Sequence, residues 1–322
     1  LTQIPINNQW SYTFGIVYNR FFKNGYHEFV VSRNMLDNRF YKYPDNDEDQ
    51  PKNFDYSSTE AENKLRYELT IQQNGFKYNF TLNSEYAKYY NSTSQQLFID
   101  DSLINLKYLT NLDLIKYGFS GQVSKSILNS RLLLSLGVRF DGNNYNSKMQ
   151  NPLNQFSPRI LLSYALTEKT SLNLGFGRYF QQPAYTTLGF RDNVGDLMNE
   201  ENATYIGVTQ YTAGIEHRFS ESILLSVEGF RKNYFQYPID MLTGSSLANQ
   251  GADYSSISGA APVTFIGKGH ATGFEVLNRV NLDKFTLLAA YTYVRSLFTD
   301  LKGDYIASSW DSKHLITLTG YR

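Results

Sequence analysis

The imidazoles come first, because there are few of them. The chain of 322 residues holds four histidines, His27, His217, His270 and His314, and no cysteine. No two of the histidines lie within ten residues of each other, so no HExxH motif or local pair of imidazole ligands can form. Without thiols there is no disulfide framework, no thiolate metal site and no cysteine nucleophile. One hydrolytic constellation could assemble across strands: Asp311 and His314 with Ser308, Ser309 or Ser312. A serine activated by an oriented imidazole would cleave an ester or amide. The competing account is that these are ordinary polar residues where a loop enters a strand.

The run "DNDEDQ" sets Asp45, Asp47 and Asp49 at the first, third and fifth places of a calcium-loop pattern. That pattern needs Gly at its sixth place and Glu at its twelfth, where Gln50 and Tyr56 stand. A solvated acidic loop is the expected reading, with a loose calcium site the alternative. "GKGHATG" (267–273) has the spacing of neither a dinucleotide fingerprint nor a phosphate-binding loop. Its glycines suit a strand packed closely on its neighbour. No catalytic residue, metal ligand or cofactor is assigned, and no enzyme activity is expected.

The stretch best suited to holding a ligand is "GRYFQQPAYTTLGF" (177–190), where Tyr179, Phe180, Gln181, Gln182 and Tyr185 cluster. Flat rings offer apolar faces and side-chain amides offer paired donors and acceptors, a combination that suits sugars or peptides. Tyr234 in "YFQYP" and Trp310 have the same character. These seven are the candidate ligand-binding residues. The same rings would also serve a belt of aromatics at a membrane–water boundary.

Strands must position them. In "SRLLLSLGVRFD" (130–141), Leu132, Leu134, Leu136, Val138 and Phe140 share one face of an extended chain, opposite Arg131, Ser135, Gly137 and Arg139. Thirteen such segments recur, at 10–19, 26–34, 63–72, 76–90, 111–123, 130–141, 157–166, 171–181, 203–219, 222–236, 270–282, 284–297 and 313–322. Many exceed the usual strand length of about 5–6 residues. Short connections, such as Gln72–Gly75 and Thr167–Thr170, alternate with long polar ones at 35–62, 91–110, 142–156, 182–202 and 237–269. An up-and-down antiparallel sheet places all the short turns at one end and all the long loops at the other, as outer-membrane barrels do. Greek-key sandwiches have no reason to sort loops by length.

The faces point the same way. Phe76, Tyr78, Phe80 and Leu82 oppose Lys77, Asn79, Thr81 and Asn83; Leu65, Tyr67, Leu69 and Ile71 oppose Arg66, Glu68, Thr70 and Gln72. The polar face needs water, because burying an unpaired charge is costly. Alternation alone would also fit a soluble sandwich. Strand length, loop sorting and the Tyr and Phe residues at strand ends favour lipid outside and a wet lumen inside. A formal net charge of zero gives no electrostatic argument for nucleic acid. No apolar run is long enough for a transmembrane helix. An odd number of strands suggests an internal piece of a larger closed barrel, since closure takes an even number.

Four phrases resemble the barrel domain of TonB-dependent outer-membrane receptors, especially the nutrient importers of Bacteroidota. They are "FSPRILLSYALTEKTSLNLGFGRYFQQPAY" (156–185), "YTAGIEHRFSESILLSVEGFRKNYFQYPI" (211–239), "GKGHATGFEVLNRV" (267–280) and the stretch from "YTYVRSLF" to "SSWDSKHLITLTGYR" (291–322). The resemblance implies an all-β, antiparallel up-and-down transmembrane barrel in the bacterial outer membrane. Residues 1–322 would be a partial barrel domain, its thirteen segments roughly strands six to eighteen of a 22-stranded whole. The N-terminal plug, the TonB box and the terminal strands would lie outside this chain. The implied function is active import of a nutrient bound at extracellular loops and delivered to the periplasm. Implied partners are outer-membrane lipid, the energy-transducing TonB protein acting through the plug, a surface lipoprotein in one branch of the family, and a small-molecule, glycan or peptide substrate. A passive barrel or adhesin without energy coupling, and an outer-membrane hydrolase, are the alternatives.

Overall fold

Period-two alternation carries through to the structure, a computed structural model that describes residues 5–99, 102–250 and 257–322. The strands are β1 (Ile6–Phe22), β2 (Gly25–Lys42), β3 (Phe54–Gln73), β4 (Phe76–Ile99), β5 (Ser102–Ile127), β6 (Leu132–Asn143), β7 (Ser157–Ala165) and β8 (Thr170–Gln181). They continue as β9 (Ile206–Ser220), β10 (Ile223–Asp240), β11 (Val263–Leu282), β12 (Phe285–Thr299), β13 (Tyr305–Ala307) and β14 (Lys313–Tyr321). Each pairs antiparallel with the next in sequence from β1 to β13, and β14 pairs with β12. Among the described residues β1 has no pairing to β14, so the sheet is open.

Thirteen of the fourteen strands answer to the segments read from the sequence. The additional one, β13, is not a separate crossing. It pairs with Leu297–Thr299 of β12, and β14 pairs with Thr286–Val294 of the same strand. The two are pieces of one descending strand interrupted at 308–312. The Asp311 carboxylate fills the gap, accepting the Ser296 N–H at 2.7 Å and Arg295 Nε at 3.1 Å.

Register assigns every side chain to a face. Leu82 on β4 faces Tyr67 on β3 and Phe119 on β5, and Phe119 faces Phe140 on β6. This is the outer face: Leu82 is 57% and Leu65 53% exposed, and on β14 Ile316 is 74% exposed. The inner face of the same strands carries Asn79, Thr81 and Glu85 on β4, Glu62 and Lys64 on β3, and Lys116 on β5. Such a sheet needs an apolar medium outside and water or polar partners inside.

The ends differ as expected. The tight turns join β1 to β2, β3 to β4, β5 to β6, β7 to β8, β9 to β10 and β11 to β12 at one end. At Asn74–Gly75 both residues have positive φ (53° and 75°), the two-residue hairpin geometry that Asn-Gly favours. The other end is taller than the sequence suggests. Residues 35–42 and 54–62 continue β2 and β3, and most of 91–110 continues β4 and β5, rather than forming loops. On the outer face above Tyr86, the apolar residues give way to an ion pair, Lys88–Asp113 (3.6 Å). The ladder goes on beyond it with a mostly polar outer face, on which Tyr90 and Leu109 are isolated apolar side chains. Residues 100–101 and 251–256 of the expected long connections lie outside the described residues.

The loops at this end fold inward. Tyr145 and Met149 from the β6–β7 connection, and Tyr185, Leu188, Ala203 and Tyr205 from the β8–β9 connection, form one buried cluster. Ala87 and Tyr89 of β4, Leu112 and Leu114 of β5, and Val263 and Phe265 of β11 join it. Strands far apart in the sheet order thus meet across the lumen through the 182–205 loop, which carries the short helix α1 (Tyr185–Leu188).

Candidate ligand pocket

The upper ends of β8, β9 and β10 form one wall of a cavity of about 540 Å³, within the range of small-molecule sites. Tyr179, Gln181, Ile206, Val208 and Tyr234 line it, with Tyr237 and Pro238 beyond a bulge in β10. Pro183, Ala184 and Thr187 of the 182–205 loop, together with Leu247, Ser258 and Gly259, form its roof.

The rings are held by their neighbours. The Arg159 guanidinium carbon lies 4.7 Å from the centroid of Tyr179. That ring lies back over Gly177, where a Cβ would come within 2.5 Å of the phenol oxygen. Tyr234 and Tyr237 meet edge-on at 6.1 Å, and both contact Phe298 of β12, at 5.1 and 4.6 Å. Phe298 in turn covers Gly269, where a Cβ would lie 2.3 Å from its ring. The close approach expected of "GKGHATG" is therefore present, and it lets an aromatic wall form.

The hydrogen-bonding capacity is unevenly spent. The Gln182 Oε1 accepts from Asn143 Nδ2 at 3.0 Å, and that amide also donates to the Tyr205 hydroxyl at 3.1 Å. Gln181 is exposed, and among the described residues its amide has no side-chain hydrogen bond, nor do the hydroxyls of Tyr179, Tyr234 and Tyr237. The cavity therefore offers flat rings and unspent neutral polar groups.

The seven candidates separate. Tyr179, Gln181 and Tyr234 lie on the inner face and line the cavity with Gln182. Phe180 borders it too, but its register opposite Gly207 sets it on the outer side of the strand, edge-on to Phe235 at 5.7 Å. Tyr185 lies outside the lining. It is buried, stacked on Tyr89 at 5.5 Å, and its hydroxyl donates to Glu62 Oε1 at 2.8 Å while accepting from Lys116. Burial, with the Glu62 carboxylate beside it, pushes the Tyr185 hydroxyl well above the usual phenol range, so it stays protonated. Lys116 also bonds Glu85 and lies 3.1 Å from Glu62, and Lys64 lies 2.7 Å from Glu62. Tyr185 is thus a bolt that fastens the loop to the lumen wall. Trp310 is 73% exposed, in the interruption between β13 and β14, and lines no part of this cavity.

The sequence profile of the family described as "TonB dependent receptor-like, beta-barrel" matches residues 2–322. The chain belongs to this family. It is therefore a β-barrel protein of the bacterial outer membrane, and the outer apolar face is its lipid-facing surface. Solved structures agree on the fold. The ferric yersiniabactin uptake receptor FyuA from Yersinia pestis has a TM-score of 0.67 at 9% identity, over 98% of this chain and 47% of that one. The ferric-catecholate import receptor Fiu from K12 E. coli has 0.64 at 11%, over 98% and 51%. The copper transporter OprC has 0.63 at 14%, over 94% and 48%. The chain spans about half the length of each. No curated protein sequence matches it.

In this receptor barrel the components of the hydrolytic constellation are engaged separately. Asp311 bonds Arg295 and Ser296, His314 Nδ1 is 2.9 Å from the Tyr291 hydroxyl, and Ser308 donates to Ser296 at 2.8 Å. His314 and Tyr291 lie on the lipid-facing side, in register with that face of β12. Among the described residues no group of three or more His, Cys, Asp or Glu is placed to hold a metal ion. In the acidic run, Asp47 accepts from the Asp49 N–H at 3.1 Å, closing a turn with its own side chain. Leu247 and the Glu62–Lys116 pair carried no site signal in the sequence; Tyr237 stands in "YFQYP", the stretch in which Tyr234 was the candidate.

Proposed function

We propose that this barrel is the outer-membrane wall of an active importer, which holds a nutrient in the cavity beneath the 182–205 loop before delivering it to the periplasm. Energy would come from a TonB-type protein acting through a plug domain in the lumen, as family membership suggests. The observation that carries the reading is the convergence of Tyr179, Gln181, Tyr234 and Tyr237, with unspent amide and hydroxyl groups, on one cavity at the loop end of a lumen whose outer wall is lipid-facing. The related structures named as ferric-chelate receptors and a copper transporter support import as the activity class. Among the described residues the lining carries no carboxylate or imidazole, and the reading is of a ligand bound through flat apolar faces and neutral hydrogen bonds. Sugars, peptides and organic metal chelates all belong to that class.

Native mass spectrometry of the receptor purified from its own outer membrane tests this. A bound mass that disappears in Tyr179→Ala and Tyr234→Ala supports the cavity as the site. Retention of that mass in both variants moves the site elsewhere. Loss of nutrient-dependent growth when the TonB protein is deleted distinguishes the importer from a passive barrel.

A further inference from the structure

The upper part of β5 has a strand on one side only. β4 pairs with it along its whole length, from Phe76↔Lys125 to Ile99↔Ser102, whereas β6 ends at Asn143, opposite Lys116. Where β6 stops, single residues take over. The Asn144 N–H donates to the Ile115 carbonyl at 3.2 Å, and its side-chain oxygen accepts the Ile115 N–H at 2.8 Å. Farther up, the Asn193 side-chain oxygen accepts the Lys107 N–H at 3.0 Å.

Those contacts show which backbone groups turn away from β4: the ones at 107 and 115. Direction alternates along a strand, so Leu109, Asn111 and Asp113 also turn their N–H and C=O groups sideways. Among the described residues nothing pairs with them on that side. The window is rigid, because its inner face is packed: Phe190 meets Tyr108 at 5.5 Å, and the Thr110 hydroxyl donates to the Gly189 carbonyl. It stands in water, since the Lys88–Asp113 ion pair marks where the apolar band has ended. On its outer face Leu109 and Tyr90 are 65% and 46% exposed.

We propose that the Leu109–Asp113 edge captures an extended polypeptide segment at the cell surface by β-strand addition. Only a backbone presents alternating donors and acceptors at strand spacing, about 4.8 Å across the pair. Leu109 and Tyr90 give the added strand an apolar shelf for one face. A second copy of this chain does not fit. Two barrels in one membrane are related by an axis along the membrane normal, and their strands tilt by about 45° in the same sense. Their β5 edges would cross steeply instead of running antiparallel, and antiparallel pairing would require one barrel to be upside down.

The test uses the receptor in outer-membrane vesicles and a phage-displayed library of random dodecapeptides as the probe. Asn111→Pro removes a sideways N–H and leaves the β4 ladder intact, as proline is tolerated on an edge. Its folding is checked by the heat-dependent shift in electrophoretic mobility. Selected peptides should bind Asn111→Ala like the parent and Asn111→Pro about tenfold or more weakly. N-methylation at alternate peptide nitrogens should abolish binding, and the amides of 109, 111 and 113 should gain exchange protection. Should Asn111→Pro fail to fold, Leu109→Pro and the methylated peptides carry the same test. No peptides enriched over the proline variant, binding indifferent to N-methylation, or edge protection that appears on dimerisation alone would each overturn the proposal.

Discussion

Asp311 stands in for a missing stretch of β-ladder: its carboxylate accepts the backbone N–H of Ser296 where the partner strand is interrupted. An edge that would otherwise hold an unsatisfied donor is closed by one side chain, which is itself neutralised by Arg295 at 3.1 Å. Asp311→Ala should lower stability by about 1–3 kcal/mol, the cost of leaving a buried donor unpaired. It should lower the midpoint of the heat-dependent mobility shift. Hydrolysis of ester or amide substrates should be nil in both proteins.

Tyr185→Phe keeps the stack on Tyr89 and deletes only the hydroxyl shared by Glu62 and Lys116. The 182–205 loop should then open more often, and limited proteolysis within it should speed up by about tenfold, the value of one hydrogen bond to a charged group. Unchanged cleavage would mean that the loop is held without it, by Tyr145 donating to the Leu188 carbonyl, by the Asn199 amide donating to the Thr187 and Ala261 carbonyls, and by the buried cluster.

Neighbouring residues on β4 should respond oppositely to charge. Leu82→Arg puts a guanidinium into the lipid-facing band near its middle and should cost about 2–4 kcal/mol, read as poor assembly into the outer membrane. Thr81→Arg points into the hydrated lumen and should assemble normally.

Gly269→Ala should act at a distance on the cavity. The new methyl group would displace the Phe298 ring, which supports Tyr234 and Tyr237. A stability loss of about 1–3 kcal/mol is expected from the overpacking, together with loss of the co-purifying mass seen by native mass spectrometry.

The Asp192 turn supplies a pH dependence outside the membrane. Its carboxylate accepts backbone N–H groups from Asp196, Gly195 and Val194, and these hold its pKa below the usual value. A lowered folded-state pKa means the contribution is complete above the unfolded value of about 3.9 and disappears as pH falls through the folded one. The amide resonances of 194–196 should stay fixed from neutral pH down to about pH 5 and shift only in stronger acid. In Asp192→Asn that acid transition should vanish.

Much of the wall was legible because lipid imposes a simple rule: along Leu132–Phe140 every second residue must be oily. The rule lapses where lipid ends. Above Tyr86 the outer face turns to Lys88, Asn111 and Asp113, so the sequence loses its period while the hydrogen-bonded ladder continues. The break at 308–312 was hidden for a different reason, since nothing in "SSWDSK" tells a loop from a side chain that imitates a strand. Tyr179, Gln181 and Tyr234 could be found as aromatic and amide residues at strand ends. Tyr185 looked the same, but its role depends on Glu62 and Lys116, which the chain brings from 123 and 69 residues away. Proximity of that kind is decided by the curl of the sheet.

The strands that cross the sheet are unequal: β5 has 26 residues and β7 has nine. The loop-end rim of the sheet is therefore lopsided, a parapet over β3–β5 and a low sill at β6–β8. The aromatic cavity, walled by the upper ends of β8, β9 and β10, lies beside the sill. From the loop end, the way to that cavity is shorter over the sill than over the parapet.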